Sequence, residues 1–496
     1  MSNTSRKRVL VVLFDGLRPD LVRPSTTPNL HRLQKQGVTL ARQRTVFPSE
    51  TRIAFTSLVT GVPPGRHGIV GNSYIDRAFS PARYVDTGEA QAVEALDADA
   101  DGCLVHVPSL GEALAAENRT LAVLASNSAG ATRLLNHKAA RLGHLTLSGH
   151  FASAASSARV LAAIEGRQGP MPAPEAKGTP DLAAQRWLVD AFLETVWPQS
   201  MPDVTILSFG EPDFSSHYIG TAAPGTLHAI AYCDAQFGRM LDWWEAEGRG
   251  AGVQLMVASD HGHVTARSRA TVADVLMAAG LRCGRPGEPD MDAVLIPSQA
   301  GALYLRDPSD ATIRRAVGAM MEAPWCGPVF TAPHGDVEGI APGSFGKHLA
   351  FADHARAADI LFAYRADDAP DLFGLPGGTW SPAWPLGYGI HGGLHEREMA
   401  SVGIMAGSAF KSAFVSQTPS GIGDFAPTIL SLLEMARPPE MAGRVLAETF
   451  LRTDDDPPAV EQDMHETING SGFRQGLVRR RVGDTIYVDH GWAESR

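Results

Sequence analysis

Five short apolar runs punctuate the chain: Val9–Phe14, Leu121–Ala125, Val204–Phe209, Val253–Ala258 and Val402–Met405. Each is aliphatic and often β-branched, with turn or polar residues at its ends. That is the pattern of strands buried on both faces of a parallel sheet. Between the runs, apolar positions recur at helical spacing. Leu182, Val189, Phe192, Leu193 and Val196 outline one helical face, and Phe237, Met240, Leu241 and Trp244 outline another. Thr27 followed by Pro28 marks a helix start that Gly37 closes, and Asp424-Phe425-Ala426-Pro427-Thr428 marks another start. Strands alternating with helices predict an α/β fold with a mostly parallel central sheet flanked by helices.

The rhythm breaks between 281 and 385, where Gly and Pro are frequent and Pro376-Gly377-Gly378, Pro382 and Pro385 close the stretch. The predicted organisation is therefore a first part of the core at 1–280, an inserted smaller cap subdomain at 281–385, a second part of the core at 386–450, and a C-terminal tail at 451–496. Asp454-Asp455-Asp456-Pro457-Pro458 opens the tail, and its Arg479-Arg480-Arg481 run reads as a solvated face. No internal repeat or low-complexity tract interrupts this order.

Composition narrows the class. With 43 Lys+Arg against 54 Asp+Glu, the 496-residue chain carries a formal charge of −11, which makes it a poor electrostatic partner for a nucleic acid duplex. No apolar run reaches the roughly 18 residues of a membrane span. Val9–Phe14 is too short for a signal-peptide core, so a cytoplasmic location and no membrane partner are expected. Cys103, Cys233, Cys283 and Cys326 are scattered without a CxxC pair, which argues against a disulfide framework or a thiolate zinc site.

The informative chemistry lies at the strand ends. Val9–Phe14 runs into Asp15-Gly16, Val204–Phe209 leads to Asp213 and His217, and Val253–Ala258 runs into Ser259-Asp260-His261-Gly262. Carboxylates thus follow three predicted parallel strands, at the edge where open α/β sheets bind ligands. His391-Gly392-Gly393 supplies a further imidazole after the insertion. Taken singly, Asp-Gly is also an ordinary turn and D-x3-H an ordinary helix cap. Together they offer Asp oxygens and His nitrogens, a donor set suited to zinc or a similar metal, in numbers that suit two ions rather than one. Val46-Phe47-Pro48-Ser49-Glu50-Thr51 leads into a helix at Arg52–Val59, so Thr51 or Ser49 is either a plain N-cap or a hydroxyl at the positive end of a helix dipole.

These segments, joined by Leu13–Asp20, Val59-Thr60-Gly61 and Arg66–Asn72, resemble the alkaline phosphatase superfamily in its nucleotide pyrophosphatase/phosphodiesterase-like branch, which includes phosphonoacetate hydrolases. The likeness covers most of the chain outside the cap and tail, and its motifs occur in the family's order. It implies Thr51 as nucleophile, with Asp15, Thr51, Asp260 and His261 holding one Zn2+. Asp213, His217 and His391 would hold a second, and Asn72 would donate to a non-bridging phosphoryl oxygen. His67, His263 and His395 are left without a metal role. The implied activity is hydrolysis of a small-molecule phosphorus ester, foremost a phosphodiester, through a phosphothreonine. The alternative is a small anionic monoester or phosphonate. A metal-retaining binder without turnover and a phosphoryl mutase are the readings from other classes. Positions that carry aromatic walls for a nucleobase in nucleotide-cleaving relatives hold Arg52 and Ser208 here, so weaker base stacking is expected. Arg52 either binds a second anionic group, or points along its helix to solvent or pairs with a local acid such as Glu50.

Overall fold

The computed structural model describes residues 6–296, 298, 300–452 and 458–494. Residues 1–5 and the acidic stretch Asp454-Asp455-Asp456-Pro457 lie outside the described residues. The central element is an eight-stranded sheet in the order 414–416, 38–40, 403–406, 253–258, 8–14, 204–209, 121–125, 145–148. All five apolar runs fall in this one sheet. Arg8–Phe14 lies at its centre, parallel to both Val204–Phe209 and Val253–Ala258.

The central strand shows why its run is continuous rather than alternating. Leu10, Val12 and Phe14 enter a core with Phe209, Phe237 and Leu241 on one face, while Val9, Val11 and Leu13 enter a second core with Phe55, Ile429 and Leu430 on the other. Successive strand residues point to opposite faces, and here both faces are covered by helices. One expectation is corrected. Gly403–Ala406 pairs antiparallel with Val253–Ala258, because an apolar run specifies burial and carries no direction.

Within 281–385, a six-stranded sheet forms from 283–284, 293–296, 301–305, 360–364, 326–331 and 345–346. The helix Asp310–Met321 packs on it through Ile313, Val317 and Met320. A four-stranded sheet then returns the chain to the core. In it Val264–Arg269 pairs parallel with Pro376–Ser381 and antiparallel with Gly389–Ile390, which sets residue 391 beside residue 263.

The last described segment is an antiparallel sheet of Val460–Ile468, Arg474–Val482 and Thr485–Glu494. Its Leu477 and Val488 pack with Phe47, Leu394 and Met399, and Gly491 N–H donates to Leu394 O at 2.9 Å. Arg44 Nε reaches Asp489 Oδ1 at 2.8 Å. The arginine run is not a solvated face: Arg479 is buried against Asp463 at 2.7 Å, and Arg480 pairs with Asp489 at 3.3 Å. Among the described residues, no helix is long and apolar enough to cross a membrane.

Candidate active site

Asp15, Asp213 and Asp260 all follow the C-terminal ends of adjacent parallel strands, and main-chain bonds lock these ends together. Asp15 N–H donates to Phe209 O and Asp213 N–H to Asp15 O, each at 3.0 Å. One oxygen of Asp260, Oδ1, accepts from both Gly16 N–H and His261 N–H at 3.0 Å. Glycines permit the close approach. Gly16 has φ +70°, and a Cβ there would collide with the His263 ring. A Cβ on Gly262 would strike Arg397 O, which explains the glycine of Asp260-His261-Gly262.

Two donor groups emerge. In the first, Thr51 Oγ1 lies 3.1 Å, Asp260 Oδ2 3.3 Å and Asp15 Oδ1 3.5 Å from His261 Nε2. In the second, His263, His217 and His391 place Nε2 at 3.1, 3.3 and 3.4 Å from Asp213 Oδ1. Donor atoms of Asp213, His217, His263 and His391 lie within 4.8 Å of one another, as do those of Asp15, Asp213 and His261. Asp213 therefore belongs to both groups.

All seven residues expected as metal ligands converge here. His263, expected to have no metal role, sits among them. By contrast, His67 is buried against Ser57 Oγ at 3.0 Å, and His395 caps the helix Glu396–Met399. His261 and His263 stand two apart in the short link between the strands Val253–Ala258 and Val264–Arg269.

The electrostatics fit a cation-binding cluster. Asp15 Oδ1, Asp213 Oδ1, Asp260 Oδ2 and His263 Nε2 are buried and accept no hydrogen bond from the chain. Leaving such atoms unsatisfied costs about 1–3 kcal/mol each, and more when charged. Burial and then repulsion from Asp260 and Asp213 push Asp15 well above the usual carboxylate range. Burial also opposes charge on Asp213, but the His217, His263 and His391 rings outweigh it and hold Asp213 well below that range. Asp15 faces carboxylates and Asp213 faces imidazoles, so the two shift oppositely. Bound cations would relieve the carboxylate repulsion and satisfy the orphaned oxygens.

Thr51 begins the helix Thr51–Thr60, with its hydroxyl at the positive helix end. Ser49 has a different task. Its Oγ donates to Gly393 O and accepts from Gly392 N–H, both at 2.9 Å, while its carbonyl accepts from His391 Nδ1 at 2.7 Å. Ser49 thus anchors the His391 loop. Asn72 Oδ1 accepts from Arg52 N–H at 3.3 Å, and Nδ2 is the donor it offers to the cavity it lines.

That cavity, about 300 Å³, is lined by Thr51, Asn72, Asp213 and His391 together with Phe214, Tyr218 and Trp384. Trp384 stacks on His217, with centroids 4.7 Å apart and planes 17° apart. Sequence reasoning missed these three rings and Asn127, whose Nδ2 donates to Asp15 Oδ2 at 2.5 Å. Ser208 is buried within its strand and is not part of the lining. Arg52 does line the cavity, but its guanidinium donates to Asn72 O at 2.9 Å and pairs with Asp86 at 3.3 Å.

The fold and the strand-end cluster define an α/β protein with residues grouped so that they could hold metal ions. Residues 9–360 match the type I phosphodiesterase/nucleotide pyrophosphatase family, and the chain belongs to it. Among curated relatives, mouse bis(5'-adenosyl)-triphosphatase enpp4 is 39% identical over 75 residues, or 15% of this chain and 16% of that protein. Human ectonucleotide pyrophosphatase/phosphodiesterase family member 5 is 38% identical over 71 residues, 14% of this chain and 15% of that protein. The matched stretch thus spans about a sixth of the length of these relatives. The structure of murine ectonucleotide pyrophosphatase/phosphodiesterase 5 covers 90% of this chain and 100% of its own, at TM-score 0.62 and 17% identity. An inactive form of that enzyme solved in complex with AMP matches over the same shares at TM-score 0.60. These structural likenesses establish a shared fold.

Proposed function

We propose that this chain is a metal-dependent hydrolase of phosphoric diesters that works through a phosphothreonine on Thr51. The observation that carries the reading is the placement of the Thr51 hydroxyl. It is buried at a helix N-terminus, 3.1 Å from His261 Nε2, and shares a cavity with Asn72 and the second donor group.

The residues fit two zinc ions, one held by Asp15, Thr51, Asp260 and His261 and one by Asp213, His217 and His391. When bound, such ions supply Lewis-acid charge that favours an ionised hydroxyl and neutralises negative charge building on the leaving oxygen. The chain's own groups account for the rest. Thr51 Oγ1 forms a bond to phosphorus as the bond to the leaving oxygen breaks. Asn72 Nδ2 and the positive end of the helix stabilise charge on the equatorial oxygens. Water then attacks the phosphothreonine, restoring Thr51 and releasing a phosphomonoester.

Phe214, Tyr218 and Trp384 favour a diester bearing a planar ring, because a flat substituent can stack where these rings line the cavity. These three rings occupy positions other than 52 and 208, where aromatic walls were expected to be lacking. AMP, found in complex with the structural relative, is a phosphomonoester that carries such a planar ring, the kind of product that cleavage of a ring-bearing diester releases. The monoester or phosphonate alternative needs a free cation beside Thr51, and the Arg52 guanidinium is already paired with Asp86.

Hydrolysis of bis(p-nitrophenyl) phosphate tests the proposal. Thr51→Ala should lose about 10³-fold or more in kcat while remaining folded. Chelation should abolish turnover in the parent, and zinc should restore it. Turnover retained in clean Thr51→Ala protein, or in metal-free protein, overturns the reading.

A further inference from the structure

Four imidazoles surround the donor groups, and each has Nδ1 tied to a main-chain carbonyl. His217 is tied to Gly389 O at 2.9 Å, His261 to Gly262 O at 3.2 Å, His263 to Gly16 O at 3.0 Å and His391 to Ser49 O at 2.7 Å. A carbonyl oxygen only accepts, so in each neutral ring Nδ1 carries the proton and Nε2 presents a lone pair. This is the arrangement that holds metal-ligating histidines in one tautomer and one orientation. His263 shares it with the three histidines that the family motifs mark.

Two further observations concern His263 itself. Its Nε2 is buried, has no hydrogen-bond partner, and faces Asp213 Oδ1, also without one, across 3.1 Å. Two acceptors at that distance repel unless a positive centre lies between or beside them. The Nε2 atom also lies within 4.8 Å of the donors of Asp213, His217 and His391.

We propose that His263 is a fourth protein ligand of the second metal ion, joining Asp213, His217 and His391. This rests on the two-metal reading given above. Three ligands leave a tetrahedral zinc ion one open position, whereas four close it. The second seat would then be saturated by protein at rest, and its ion should be the more tightly held of the two. Substrate reaching this ion would expand its coordination or displace a ligand. The competing arrangement is a protonated His263 bridging Gly16 O and Asp213 as a plain hydrogen-bond donor.

Cobalt substitution of the full chain separates the possibilities without any mutation. In the Co2+-loaded protein, each ligating imidazole contributes one solvent-exchangeable, hyperfine-shifted N–H proton resonance. Four resonances are expected, from His217, His261, His263 and His391. Three would overturn the inference while leaving two metals in place, and none would overturn the two-metal reading along with it. Zinc titration against a competing chelator gives a second readout. In His263→Ala and His263→Gln, one of two zinc equivalents should weaken by more than the roughly 10–100-fold typical of losing a residue that only hydrogen-bonds a ligand, and the other should be unchanged. A loss of about 100-fold or less, or no loss, would show that His263 is not a ligand.

Discussion

Replacing Asn72 with alanine should separate phosphoryl stabilisation from metal binding, because Asn72 lines the cavity yet belongs to neither donor group. Its main chain is fixed on both sides: N–H donates to Glu50 Oε2 at 2.6 Å, and the carbonyl accepts from Arg52 and Thr87 at 2.9 Å. With Oδ1 held by Arg52 N–H, the side-chain donor is oriented before substrate arrives. Removing one preorganised donor to developing charge costs about 3–4 kcal/mol, a fall of about 10²–10³ in kcat. Asn72→Asp, which keeps shape and acceptor but turns a donor into a negative charge, should fall further. The assay is steady-state hydrolysis of bis(p-nitrophenyl) phosphate, with zinc content measured on the same samples. KM should change less than about threefold, because the donor acts mainly on transition-state charge. If folded, metal-replete Asn72→Ala keeps kcat within fivefold of the parent, Asn72 does not stabilise the transition state.

Two further predictions address the cavity wall and the buried acids. Trp384→Ala removes an aromatic face worth about 0.5–1.5 kcal/mol, so KM for an aryl diester should rise about 2–10-fold while a methyl diester is little affected; equal changes for both would dismiss the stacking role. Burial raises Glu211 and Glu398 from 4.5 to about 7. Between these values the folded chain holds a proton that the unfolded chain has released, so each group's contribution is fully present below about pH 4.5 and is lost as pH rises through 7. The loss is of order 3 kcal/mol per group. Denaturant unfolding at pH 5 and pH 7.5 should show this part of the pH dependence shrinking in Glu211→Gln and Glu398→Gln, and an unaltered slope in both would contradict it.

The sheet and the gathering of the strand-end Asp and His residues were legible for the same reason. A strand buried on both faces must be apolar throughout, so Val204–Phe209 and Val253–Ala258 stand out, and the first polar residues after them stand at the sheet edge. Strand direction was not legible at Gly403–Ala406, because burial is indifferent to it. Trp384 was hidden because its position depends on how a Gly- and Pro-rich return segment folds back onto the helix Asp213–Ile219. The arginine run at 479–481 misled because charge alone does not reveal that the neighbouring strands set Asp463 and Asp489 beside it. The membership of His263 depended on Gly16, 247 residues away, closing on its ring.

The sheet formed by residues 460–494 gives this architecture a timetable. Leu477, Val488 and Gly491 brace the segments that carry Phe47 and Leu394, which flank Thr51 and His391 in sequence. Every candidate site residue is synthesised before this brace, and the strand Thr485–Glu494 emerges from the ribosome only after all of them. A chain lacking this sheet would hold every candidate donor but not the packing that braces the loops beside Thr51 and His391. The loops beside Thr51 and His391 thus owe part of their position to a segment that carries no candidate donor of its own.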